Sequence, residues 1–344
     1  MPCVRFLSAA ALFATAVLGV ESAASADERA AELLRLSLEA PKTVSYVGQM
    51  ETVRFSSNRA NATIVRVEHR APASTRRWYL APEALYGDYV ITRGSSSYQF
   101  DTKKSSLTVS HNPALDNQIA GADNLDRVMA NYRPLVSGTA IVAGRPSTSL
   151  VLVNKYTGER VMRIWVDDKT YLVLKKEEYH GNGAIASQTR FDELRYTNAI
   201  PDGIFSTDPP VGYTRLAGHD YAMPTPDIEK VIRDAGFKPI TPKALPQGFA
   251  LSSGDTAMVN GVRTLHLMYS DGLRTLSLFE NSSGAAVDFG NLRPSKTAFE
   301  GHDAQYVEDG PTTLVSWKEK GLAFALVGDL LRNELIQIAK SVVP

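Results

Sequence analysis

The chain has 344 residues, 44% hydrophobic and 22% charged, which fits two globular domains with buried cores. Lys+Arg and Asp+Glu are both 37, so the net charge is zero, which argues against a nucleic-acid binder driven by bulk charge. The single cysteine, Cys3, lies ahead of an apolar run, so a chain processed after that run has no disulfide, thiolate nucleophile or zinc–thiolate site.

The first residues read as an export signal. Arg5 supplies the positive region, Phe6 to Val20 the apolar run, and Ala24-Ser25-Ala26 an A-x-A cleavage site. The expectation is a signal peptide over residues 1–26, cleaved near Ala26, and an exported chain; a short membrane anchor is the alternative. No later stretch is apolar enough to span a bilayer, so an integral membrane protein is not expected.

Asp27 to Ala40 has helical spacing at Ala30, Leu33, Leu34 and Leu38, and Pro41 stops it. A β-rich stretch follows, including "VSYVGQMETVRF", "TIVRVEHR", "RRWYLA", "GDYVITRG", "SSYQFD" and "SSLTVS". Leu125, Val128, Met129 and Tyr132 mark a second helix, with Asp123 as cap and Pro134 beyond its end. Five further strands to Tyr196 predict an antiparallel meander, with hairpin turns at "DDKT" and "HGNG". From Ile200 the chain is rich in Pro and Gly and reads as a linker. A second helix-then-sheet unit begins with Thr225 as cap and Pro226 at the first helical position; Ile228, Val231, Ile232 and Ala235 form its buried stripe and Gly236 closes it. Within that unit Leu265, Leu267 and Tyr269 alternate before Asp271-Gly272, and Leu276 and Leu278 alternate after it, which predicts a hairpin in a small antiparallel sheet. Leu331, Leu335, Ile338 and Val342 give a last helix.

Catalytic patterns are missing. The six histidines, His69, His111, His180, His219, His266 and His302, show no metal-ligand spacing, and His266 reads as a half-exposed strand residue. Asp167-Asp168 reads as turn chemistry rather than a catalytic carboxylate pair. There is no nucleophile elbow, phosphate loop or dinucleotide fingerprint. No catalytic residue, metal or cofactor is therefore expected, and the chain reads as a binding protein rather than an enzyme. The expected fold class is α+β: an unclosed antiparallel β-barrel with helical cover, then a smaller antiparallel-sheet domain flanked by helices. Its apolar face offers Tyr46, Met50, Trp78, Tyr89, Ile91 and Trp165 to a hydrophobic ligand, and Arg76, Arg77 and Arg93 to an anionic head group.

The ordered segments "SYVGQMETVRF", "NYRPLVSGTAIVAGRP", "RVMRIWVDDKTYLVLKKE", "ASQTRFDELRY", "LPQGFAL", "HLMYSDGLRTLSLFE" and "ALVGDLLRNELIQIAKSV" resemble the RseB/MucB family of periplasmic sigma-E regulators. The resemblance implies an N-terminal domain over residues 27–205 similar to the lipoprotein carriers LolA and LolB, a linker over 206–224 and a C-terminal domain over 225–344. It also implies a non-enzymatic periplasmic protein that binds the extracytoplasmic part of an anti-sigma factor, shields it from proteolysis and senses lipid-like ligands in envelope stress. The alternative is a lipid or lipoprotein carrier or sensor without an anti-sigma partner. A third reading, an enzyme acting on envelope polymer, would need a pocket with perturbed carboxylates or histidines.

Overall fold

The computed structural model describes residues 22–56, 59–94, 96–111, 125–216, 225–259, 262–284, 293–309 and 312–342. Two sheets, antiparallel except at one edge of the first, organise it. The first domain is a curled sheet of twelve strands in the order β12-β6-β5-β4-β3-β2-β1-β11-β10-β9-β8-β7. Its strands are β1 (Tyr46–Ser56), β2 (Arg59–Arg70), β3 (Ser74–Ala81), β4 (Tyr89–Arg93), β5 (Ser96–Asp101), β6 (Ser106–His111), β7 (Tyr132–Val142), β8 (Arg145–Asn154), β9 (Arg160–Asp167), β10 (Val173–Tyr179), β11 (Ile185–Tyr196) and β12 (Thr214–Leu216). The end strands β12 and β7 do not pair, so the barrel is unclosed, as expected. Strands β7 to β11 form the predicted meander, and β1 joins β11 through Tyr46↔Tyr196 and the pairs that follow.

A bulge interrupts that joining ladder between Gln49 and Met50. Beside it, a Cβ on Gly48 would lie 2.4 Å from the Glu193 carbonyl oxygen, so only glycine lets the strands approach this closely.

Helix α1 (Ser22–Glu39) runs through the expected cleavage point, and its buried positions Ala30 and Leu34 lie beyond that point. Helix α2 (Leu125–Asn131) follows; the expected cap at Asp123 lies outside the described residues. Both helices pack on Leu150, Leu152, Ile164 and Val166 of the sheet. Pro134 stands inside β7 rather than at the helix end; β7 is an edge strand, where the missing N–H is tolerated. Residues 200–216 do not hang free: Ile200 and Phe205 are buried against Ile91, Phe100 and Leu107, and β12 adds in parallel to β6.

The second domain is a seven-stranded sheet in the order β13-β14-β15-β19-β18-β17-β16, with β13 (Ala250–Val259), β14 (Val262–Ser270), β15 (Thr275–Asn281), β16 (Ser295–Phe299), β17 (His302–Asp309), β18 (Thr312–Glu319) and β19 (Leu322–Gly328). Helices α3 (Ile228–Ala235) and α4 (Arg332–Val342) cover one face, with Val231, Ala235, Leu335 and Ile338 against Leu265, Leu267, Leu278 and Leu326. The cap of α3 is Asp227, whose carboxylate accepts the Lys230 N–H at 3.0 Å, and not Thr225. Thr225 instead bridges to Gly254 and accepts the Asp227 N–H. Gly236 closes the helix at φ 77°, as its position predicts. No helix among the described residues is long and apolar enough to cross a membrane.

Candidate functional site

The residues expected to line one apolar face divide between two. Cross-strand pairing puts Tyr46, Met50, Val65, Val67 and His69 on one side of the first sheet, with Arg77 beside Val67. The pairings Ile164–Lys176, Lys176–Thr189 and Thr189–Thr52 continue that side to the face beneath α1 and α2. Trp78, Tyr89 and Ile91 share the reverse side with Phe100 and Leu107. Tyr46, Met50 and Trp165 belong to one packed cluster with Leu172, Leu174 and Phe191. The Trp165 ring also carries Arg163 and Lys175, 4.6 and 4.3 Å from its centre. Ile91 is buried under Ile200 and Phe205. Trp78 and Tyr89 are half-buried and stack 5.4 Å apart, and Tyr89 stacks on Phe100 at 4.3 Å.

The three arginines separate in the same way. Arg76 lies over Trp78 and Tyr89, on the side that Arg93 shares through Ser74, whereas Arg77 is near enough to Tyr46 and His69 to act on both electrostatically. Burial pushes the Tyr46 hydroxyl up to about 12 and the His69 imidazole below its ordinary range. His69 bonds Thr75 and the Pro41 carbonyl oxygen, which ties β2 to the end of α1.

His266 differs from its expected half-exposure. It is buried, its Nδ1 lies 3.0 Å from Asp255 Oδ2, its Nε2 lies 2.9 Å from Ser277 Oγ, and its ring stacks on Phe279. A Ser–His–Asp chain is a catalytic signature only with donors for an oxyanion. Ser277 lies mid-strand between ladder partners Met268 and Val327, so the sheet consumes the backbone N–H groups around it. The chain reads as two cross-strand hydrogen bonds that fasten β13, β14 and β15. Asp167 likewise accepts the Lys169 and Thr170 N–H groups and bonds Arg145, which confirms turn chemistry. Burial raises its pKa, but Arg145 and the two N–H groups outweigh it and hold the carboxyl below its usual range.

A densely connected polar site among the described residues was not expected at all. The β14–β15 turn, Asp271 to Arg274, inserts its tip into the first domain. Asp271 is fully buried; its Oδ1 accepts the Leu273 and Arg274 N–H groups, and its Oδ2 takes the Arg274 Nε and the Tyr132 hydroxyl. Asn131 donates to the Asp271 carbonyl oxygen at 2.8 Å, and Arg127 to that of Ser270. Leu273 packs in the core beneath α2. Gly272 has φ 103°, and a Cβ there would stand 2.7 Å from the Val128 nitrogen. Desolvation and the Asp271 charge both hold the Tyr132 hydroxyl protonated.

Cavities are found within the second domain and at the domain junction. One of about 620 Å³ lies in the second domain, where Lys296, His302, Gln305, Ser316, Trp317 and Lys318 are among its walls. The other, about 30 Å³, lies at the domain junction between Glu178, His180, Asp329 and Leu331. Among the described residues no group of His, Cys, Asp and Glu is arranged to hold a metal ion.

Comparison with known proteins follows this architecture. Residues 87–208 match the family described as the MucB/RseB N-terminal domain, and residues 239–342 match a domain of unknown function, DUF4367. The crystal structure of MucB in complex with MucA(peri) superposes at TM-score 0.60 with 17% identity, covering 91% of this chain and 97% of that one. The Pseudomonas aeruginosa MucA/MucB complex gives 0.60, 17%, 92% and 97% in the same terms, and MucB alone gives 0.56, 16%, 93% and 98%. An uncharacterized protein of Methanocaldococcus jannaschii is 22% identical over 269 residues, 74% of this chain and 76% of its own length.

Proposed function

We infer that the chain is a member of the MucB/RseB family, from the match of its residues 87–208 and from a MucB-like fold that runs through both domains. It is proposed to be a non-enzymatic regulator outside the cytoplasm that binds the extracytoplasmic part of an anti-sigma factor. The observation that carries this reading is the extent of the match. The fold shared with MucB, a chain solved together with MucA(peri), includes 97% of MucB and therefore both lobes, not a carrier-like sheet alone. The buried hairpin tip supports it, because the tip holds the lobes as one body that can present a composite surface.

We place the partner segment along the second domain's large cavity, whose rim carries the exposed cations Lys296 and Lys318. The test is capture of the anti-sigma periplasmic segment encoded in the same genome by the mature two-domain chain. Retention of that segment, weakened at least tenfold by Lys296→Glu with Lys318→Glu, is the expected result. No retention by the unmutated chain overturns the function; retention unchanged by the double substitution overturns only the placement.

A second reading, a lipid sensor or carrier, draws on exposed apolar groups of the first sheet: Val136 and Ile141 on β7 are 42% and 69% exposed. Native mass spectrometry of gently purified protein tests it through the mass of a co-purifying lipid, and a consistently empty chain argues against it.

A further inference from the structure

Strand β16 ends the second sheet, and among the described residues no strand pairs with its outer edge. It joins β17 through the two-residue turn Glu300-Gly301, whose φ angles are 49° and 84°. A turn of this kind closes on a hydrogen-bonded pair, here Phe299↔His302, and such pairs recur at every second residue of an antiparallel ladder. Phe299, Thr297 and Ser295 therefore spend their backbone N–H and C=O groups on β17. Lys296 and Ala298 point theirs the other way, out of the sheet, and both residues are exposed.

The side chains beside that edge carry a charge pattern. Lys296, Gln305 and Ser316 are successive cross-strand partners, and Lys318 shares the Ser316 side of β18. This is the side opposite Val315 and Trp317, which pack in the core with the helices. Lys296, Gln305, Ser316 and Lys318 all line the cavity of about 620 Å³. Lys296, Lys318 and Arg293, just ahead of β16, are exposed and form no ion pair among the described residues. The nearby carboxylates lie toward the other end of the strand: Asp303 opposite Ala298, Glu300 in the turn, and Glu319 held by His302 at 2.8 Å.

We propose that β16 accepts an extended acidic segment as an added strand, whose backbone bonds Lys296 and Ala298 and whose carboxylate faces Lys296 beside the cavity. This rests on the proposed function and deepens it, because it gives the partner segment a conformation, a register and a charge. Residues directly opposite on paired strands share one side of the sheet, so the residue facing Lys296 falls on the cavity side. Backbone bonds hold any extended chain, and the cations select an acidic one. A second copy of this chain is the wrong occupant. Paired β16 edges would bring two Lys296 side chains within diagonal reach of each other, with two Arg293 close by, and like charges oppose that pairing.

The experiment uses the full mature chain and the extracytoplasmic segment of the anti-sigma factor from its own genome. Amide hydrogen exchange is read residue by residue by NMR, without the segment and with it at saturation. The Lys296 and Ala298 amides should exchange about tenfold more slowly or less in the complex, while those of Thr297 and Phe299, already bonded to β17, should change little. Ala298→Pro removes an outward donor without touching the β17 ladder and should weaken binding by about tenfold. Lys296→Gln, a second variant should the proline disturb the fold, should weaken it by about threefold and flatten its salt dependence. Binding without new protection at Lys296 and Ala298, or binding unchanged in either variant, overturns the added strand and leaves the proposed function standing. Absence of binding overturns the proposed function and this inference with it.

Discussion

Glu280 sits on the core face of the second sheet among Leu265, Leu278 and Leu326, fully buried, with Oε2 accepting the Ile240 N–H and Oε1 without a partner. Burial pushes its carboxyl up to about 7 from 4.5. Below pH 4.5 the folded and unfolded forms are both protonated and the contribution to stability is complete. It is lost as pH rises toward 7, because the unfolded chain ionises first. Glu280→Gln should remove a loss on the order of 2–3 kcal/mol between pH 4.5 and 8, read from urea unfolding at several pH values. Tyr132→Phe leaves the buried Asp271 carboxylate one donor short and should cost about 1–3 kcal/mol in the same assay. Part of this was legible: position 280 continues the Leu276–Leu278 alternation, so its core side follows from period two. The burial of His266 was not, because its partners Asp255 and Ser277 lie on neighbouring strands and nothing local announces them.

The hairpin of β14 and β15 is where local pattern and distant packing meet. Its alternation predicted both strands and the buried set Leu265, Leu267, Tyr269, Leu276 and Leu278, all of which the core contains. The turn is four residues long, Asp271 to Arg274, because Asp271 spends its side chain on the turn's own N–H groups. What the turn touches was illegible: Asp271 and Tyr132 are 139 positions apart. Gly272→Val combines a β-branched residue at φ 103° with a Cβ against the α2 backbone. It should cost about 1–3 kcal/mol and raise hydrogen exchange in α2 well before the second domain's own core opens. Helix α3 gives a milder case. Asp227→Ala should lose about 1 kcal/mol, whereas Thr225→Ala should lose less, reversing the order that the Thr-Pro start implies; thermal unfolding of both variants checks this.

At the scale of the whole molecule, two domains, their order and the α+β class followed from hydrophobic period and turn residues, and the resemblance to RseB/MucB followed from motif order. The meander β7 to β11 was readable because consecutive strands with short turns pair with each other. The β1–β11 pairing was not, since it joins Tyr46 to Tyr196, 150 positions along the chain. The sequence expectation of a single apolar face does not hold. Side chains alternate along each strand, and register across the four strands β1 to β4 then sends Trp78 and Tyr89 to the side opposite Tyr46 and Met50. The central claim is that this two-lobed body holds an anti-sigma segment. Calorimetric titration of the mature chain with the extracytoplasmic segment of the anti-sigma factor from its own genome tests it most directly. The account predicts saturable binding at one site per chain; the absence of saturable heat up to about 1 mM segment would contradict it.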